Sequence, residues 1–83
     1  MLHTVQVRYY AQLREALQTS EESLEILFPI SENDLIQSLI TKYPKQRDLL
    51  ASSRIAVNEN YISAETLIDA ISFIDVISPI IGG

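Results

Sequence analysis

Few residues in this sequence could take part directly in chemistry, and their scarcity narrows the choice. There is no cysteine, which excludes a disulfide framework, a thiolate nucleophile, a cysteine persulfide and every thiolate metal site. A Ser-His-acid relay would have to use His3, the one histidine, which is expected on or before an edge strand at the head of the chain. A zinc site would need carboxylates grouped around that single imidazole, a poor ligand set. Glu21, Glu22 and Glu25 could in principle pair as acid and base, but they fall on a turn and an outward strand face, where a solvated acidic surface is expected. No phosphate-cradling loop can form, since the only two glycines are Gly82 and Gly83.

The placement of those glycines is the strongest signal. With glycine at about 7% of residues, an adjacent terminal pair arises by chance in about one chain in 200. Lacking Cβ atoms, Gly82 and Gly83 can thread a channel too narrow for side chains and take whatever φ it imposes. Residues 79–83 (Pro79, Ile80, Ile81, Gly82 and Gly83) are therefore expected to form a thin, flexible arm. The carboxylate at its tip, with a pKa near ~3.5, is ionised at pH 7 and a poor electrophile. Conversion by ATP to an acyl-adenylate would supply a leaving group, after which a sulfur or nitrogen nucleophile could be loaded onto Gly83. The plainer alternative is a frayed end.

Such an arm has to be carried by something. The 83 residues leave room for one domain, 1–83, with a single small core. A hydrophobic fraction of 47% with 20% charged residues is globular composition, not disordered or collagen-like. Thr4 to Tyr10 alternates as a half-buried strand, with Val5, Val7 and Tyr9 on one face and Gln6, Arg8 and Tyr10 on the other. A short helix over Ala11 to Leu17 follows, then a strand from Ser23 to Phe28 that Pro29 ends. Ser31 to Asp34 opens like a capping box, and Leu35, Ile36, Leu39, Ile40 and Tyr43 form the apolar stripe of the main helix up to Pro44. Lys45 to Ser53 reads as a turn or short helix with its leucines turned inward, and Lys42, Lys45 and Arg47 as a solvated helix end. Strands are expected at Arg54 to Asn58, Tyr61 to Ile62 and Ser72 to Ser78, with Asn58, Glu59 and Asn60 as a turn. The economical architecture is α+β: one mixed sheet packed under one main helix.

Alternation also predicts which apolar groups are left outside. Tyr10 shares its face with Arg8, and Ile77 with Asp75, so with Phe73 and Tyr61 they could make a partner-binding patch. The formal charge of −5 repels phosphate backbones, so nucleic acid is not an expected ligand. No basic segment followed by an apolar stretch opens the chain, and no apolar run approaches the roughly 20 residues of a membrane span, so a cytoplasmic location off the membrane is expected.

Three segments carry a resemblance: the opening Val5-Gln6-Val7-Arg8-Tyr9-Tyr10-Ala11-Gln12-Leu13-Arg14-Glu15, the strand and turn Ile55-Ala56-Val57-Asn58-Glu59, and the tail Ser78-Pro79-Ile80-Ile81-Gly82-Gly83. Together they resemble the small, sulfur-carrying subunit of molybdopterin synthase, over the whole chain. The opening and the length separate that family from the shorter thiazole-pathway sulfur carrier, which also ends in Gly-Gly. The resemblance implies a ubiquitin-like β-grasp fold. It also implies that Gly83 is adenylated by a ubiquitin-activating-like enzyme and converted to a thiocarboxylate. The large synthase subunit would then bind the tail, supply the catalytic residues and transfer sulfur to cyclic pyranopterin monophosphate. Two sulfurs per dithiolene imply two charged carriers, hence a two-plus-two heterotetramer. ATP and zinc would belong to the activating enzyme, with no cofactor on this chain. The alternatives are a carrier for another pathway, such as thiazole formation, and a non-catalytic ubiquitin-like interaction module. Family members usually have Pro-Pro where Ser78-Pro79 stands, an aromatic residue at Ile77, and a Gly-Asp turn at Ile71-Ser72.

Overall fold

The computed structural model describes residues 1–79. Its main sheet has the strand order β2-β1-β7-β4-β5, formed by β1 (Leu2–Tyr10), β2 (Glu21–Leu27), β4 (Arg54–Val57), β5 (Asn60–Tyr61) and β7 (Phe73–Ile77). The first and last of these strands lie side by side and parallel, and every other pairing in the sheet is antiparallel. A second, two-stranded sheet joins β3 (Ile30–Ser31) to β6 (Leu67–Ile68), a pairing missing from the sequence expectation. Strands of two residues carry too little alternation to be recognised, and these form only because the main helix and its return loop bring them together.

The helix α2 (Glu32–Lys42) forms where its cap predicts. The Ser31 Oγ accepts from the Asp34 amide at 3.1 Å, and Glu32 and Asp34 sit at the positive helix end. The helix α2 stops at Lys42, because the ring of Pro44 disfavours the helical region for Tyr43, which has φ −125° and ψ 67°. Leu35, Ile36 and Leu39 share one buried core with Val5, Val7 and Tyr9 of β1, Ile74 and Val76 of β7, Leu13 of α1 (Gln12–Leu17) and Leu50 of α3 (Arg47–Ala51). Each such side chain contributes about 1.5–3 kcal/mol on burial.

Two expectations need correction. β1 is an interior strand of the sheet, but its pairing with β7 begins only at Gln6, so His3 is paired on one side alone, with Ile26 of β2, and stands edge-on to the Phe28 ring at 6.1 Å. The pair Glu21 and Glu22 is not a turn either, because the β1–β2 ladder runs on until Arg8 faces Glu21. Alternation along β2 then puts Glu22 on the same face as Leu24 and Ile26, under the end of α2. Its carboxylate accepts hydrogen bonds from the Tyr9 hydroxyl (2.6 Å), the Tyr43 hydroxyl (2.6 Å) and Lys42 Nζ (2.8 Å). Burial alone would raise the Glu22 pKa, but these three donors outweigh it and hold the group below the ordinary glutamate value. Burial and the bond to Glu22 push the Tyr9 phenol up strongly, and the same causes push Tyr43 up to about 12. Lys42 is thus a strut between α2 and β2, not part of a merely solvated helix end.

Candidate functional site

The parallel pairing of β1 and β7 sets Gln6 beside Phe73, Arg8 beside Asp75 and Tyr10 beside Ile77. Since Val7, Tyr9, Ile74 and Val76 are turned into the core, these six must share the opposite face of the sheet. β4 extends that face, with Ala56 paired to both Asp75 and Tyr61. The turn at Asn58 and Glu59, with φ of 53° and 68°, folds β5 back so that Tyr61 borders the same surface.

Tyr10, Ile77 and Tyr61 meet around a hollow of about 360 Å³, completed by Ala56, Asp75 and Glu59. Tyr61 and Phe73 stand well exposed, Tyr10 less so, and Ile77 is half-buried. Phe73 lies outside the hollow, on the far side of an ion pair. Arg8 Nε donates to Asp75 Oδ1 at 2.6 Å, and the guanidinium lies 4.8 Å from the centre of the Phe73 ring. The hydrogen bond to Asp75 raises the Arg8 pKa above its ordinary value. The Tyr10 hydroxyl stands 3.5 Å from the same Asp75 oxygen. Asp75, which alternation places on the outer face, is only 7% exposed, because Arg8, Tyr10 and Ala56 surround it there.

The root of the tail is fixed by a residue that the sequence reading noted only as a departure. Ser78 is buried; its Oγ accepts from the Leu13 amide at 3.2 Å and donates to the Tyr10 carbonyl at 3.3 Å. These bonds straddle Ala11, whose φ of 58° is unfavourable for a residue with a Cβ, and clamp the tight passage from β1 into α1. A proline at 78 could not make them. Ser72, at the position of the family's turn, offers its carbonyl to the Gln6 amide at 2.8 Å. The chain leaves the sheet at Pro79, directly beyond Ile77 and the hollow; Ile80, Ile81, Gly82 and Gly83 lie outside the described residues.

Sequence reasoning thus placed Tyr10, Tyr61, Phe73 and Ile77 on one face with Arg8 and Asp75 beside them, but it did not foresee the pairing of Arg8 with Asp75 or the presence of Glu59. The charge signs of Arg8 and Asp75 were a usable clue, but only the parallel register makes them neighbours. Among the described residues no group of three or more His, Cys, Asp or Glu side chains is placed to hold a metal, and no helix is long and apolar enough to cross a membrane.

Comparison with known proteins agrees with this geometry. The family model described as the ThiS family matches residues 7–83. A Pyrococcus furiosus protein described as molybdopterin converting factor, subunit 1, has a similar structure, with a TM-score of 0.73 and 26% identity over 93% of this chain and 98% of that one. Small archaeal modifier protein 1 from Methanosarcina acetivorans is similar at TM-score 0.73 and 28% identity, over 100% of this chain and 99% of its own. Subunits 1 and 2 of the molybdopterin-converting factor of Helicobacter pylori form a protein–protein complex, and the likeness there is one of fold, with a TM-score of 0.60 and 21% identity over 98% of this chain and 100% of that chain. No curated protein sequence matches. The fold is the α+β, ubiquitin-like β-grasp.

Proposed function

The chain belongs to the ThiS family, and from that premise we propose that it is the sulfur-carrying subunit of a molybdopterin synthase, with Gly83 as the covalent site. The carrying observation is that the family match runs through both glycines of a tail rooted beside an exposed aromatic face. In the proposed chemistry the Gly83 carboxylate attacks the α-phosphorus of ATP on a ubiquitin-activating-like enzyme and expels pyrophosphate. Sulfide supplied by that system then attacks the acyl carbon and expels AMP, leaving a thiocarboxylate at Gly83. Gly82 leaves the approach narrow enough for the activating and transferring channels. The large subunit binds the face around Tyr10, Tyr61, Phe73 and Ile77 and brings the tail to cyclic pyranopterin monophosphate. This chain alone is then a donor, and the transferase is the complex.

The test of loading is intact mass after incubation with the cognate activating enzyme, ATP and a sulfur source. The mass should rise by the difference between sulfur and oxygen, and deletion of Gly83 should abolish the rise. A rise that survives the deletion contradicts the assignment.

The likeness to the Methanosarcina modifier protein favours a second reading, in which a lysine amine displaces AMP and an isopeptide bond forms. High-mass conjugates without any thiocarboxylate would favour it over the first.

A further inference from the structure

We infer that the hollow between Tyr10 and Tyr61 receives one arginine side chain from the large-subunit partner, an inference that rests on the carrier reading above. The choice of occupant follows from the lining. Tyr10, Tyr61, Ala56 and Ile77 offer rings and aliphatic surface, while Asp75, paired with Arg8, and the exposed Glu59 make the rest of the lining acidic. Asp75 is already buried and paired with Arg8, but an apolar anchor such as leucine would shield the exposed Glu59 from water and return nothing to it. A long cationic side chain lays its methylenes along Ile77 and Ala56 and keeps its charge at Glu59.

Charge balance and local precedent narrow this further. Arg8 already matches Asp75, but the ion pairs among the described residues are Arg8–Asp75, Lys42–Glu22, Arg47–Asp48 and Arg54–Glu32, and none engages Glu59. One negative charge in the hollow is therefore left for a partner. Two guanidinium groups of the chain already lie over aromatic rings beside it, Arg8 at 4.8 Å from the Phe73 centroid and Arg54 at 5.2 Å from that of Tyr61. The planar guanidinium stacks on rings while donating to carboxylates, which an ammonium does less well.

Glu59 is exposed and lies in the turn, so substitutions there leave the core untouched. Calorimetric titration of the cognate large subunit into the wild-type chain, Glu59→Gln and Glu59→Leu, each at low and high salt, tests the inference. Glu59→Gln should weaken binding by about fivefold at low salt, with a smaller loss on adding salt than the wild type shows. Glu59→Leu should weaken it at least as much. Unchanged affinity of Glu59→Gln, or tighter binding by Glu59→Leu, would mean that the occupant is apolar and overturn the inference while leaving the carrier reading intact. Failure of the wild-type chain to bind the large subunit would overturn the carrier reading itself, and the arginine site with it.

Discussion

Tyr10 sits at the hinge between two demands, since its ring belongs to the outer face while its carbonyl belongs to the clamp made by Ser78. Truncation at the centre of an interface can remove about 2 kcal/mol or more of binding. Tyr10→Ala should therefore weaken large-subunit binding by that order, while unfolding of the isolated chain in denaturant should lose less than the roughly 3 to 5 kcal/mol typical of a buried aromatic. Severe destabilisation with unchanged affinity would contradict the placement of the ring. The faces of Tyr10 and Ile77 were legible in the sequence because period-two alternation needs no knowledge of neighbours. The burial of Asp75 was not, because its partner Arg8 is 67 residues away and comes beside it only through the parallel register. Ser78 was hidden for a related reason: a serine before a proline looks like a turn residue until α1 brings the Leu13 amide to it.

Among the elements, the junction of β2 with the end of α2 depends on ionisation. The folded chain holds the Glu22 pKa below its ordinary value, so folding favours the carboxylate. The stabilisation is complete above the unfolded glutamate value of about 4.3 and is lost as pH falls through the lower folded value. The stability difference between wild type and Glu22→Gln, read from thermal unfolding, should be level near neutrality and shrink below about pH 4. At the other end, Tyr43 is raised from 10.0 to about 12, so its contribution is present below pH 10 and fades as pH rises toward 12. Tyr43→Phe should cost about 1 kcal/mol at pH 7, a hydrogen bond to a charged group discounted for partial exposure. Ser78→Ala acts at a different junction. It strips the Leu13 amide of its acceptor in a buried site and should cost about 1–3 kcal/mol in the same unfolding measurement. The long elements could be read from sequence because α2 carries a cap, a stripe and a stop, and β1 and β7 alternate cleanly. The start of β2 could not, since Glu21 and Glu22 follow the turn residues Thr19 and Ser20, are poor strand formers, and become strand only by pairing with β1.

In the whole molecule, the parallel contact of the first and last strands brings the last described residues, Ser78 and Pro79, out beside an exposed aromatic face. In the proposed function, a partner that grips Tyr10, Tyr61 and Ile77 would thereby take hold of the chain at Pro79 and couple recognition to delivery of Gly83. The order of strands and helices, and the mixed sheet under one helix, followed from sequence periodicity. The small β3–β6 sheet and the hollow on the outer face arise only from three-dimensional pairing. The proposed function as a whole turns on donation by the terminus. The most direct measurement mixes the chain bearing a Gly83 thiocarboxylate with the large subunit and cyclic pyranopterin monophosphate, following the intact mass of the chain and formation of molybdopterin together. The expected result is reversion of the thiocarboxylate to carboxylate with two chains consumed per molybdopterin formed. A thiocarboxylate that persists in the assembled complex, with no product, would contradict the assignment.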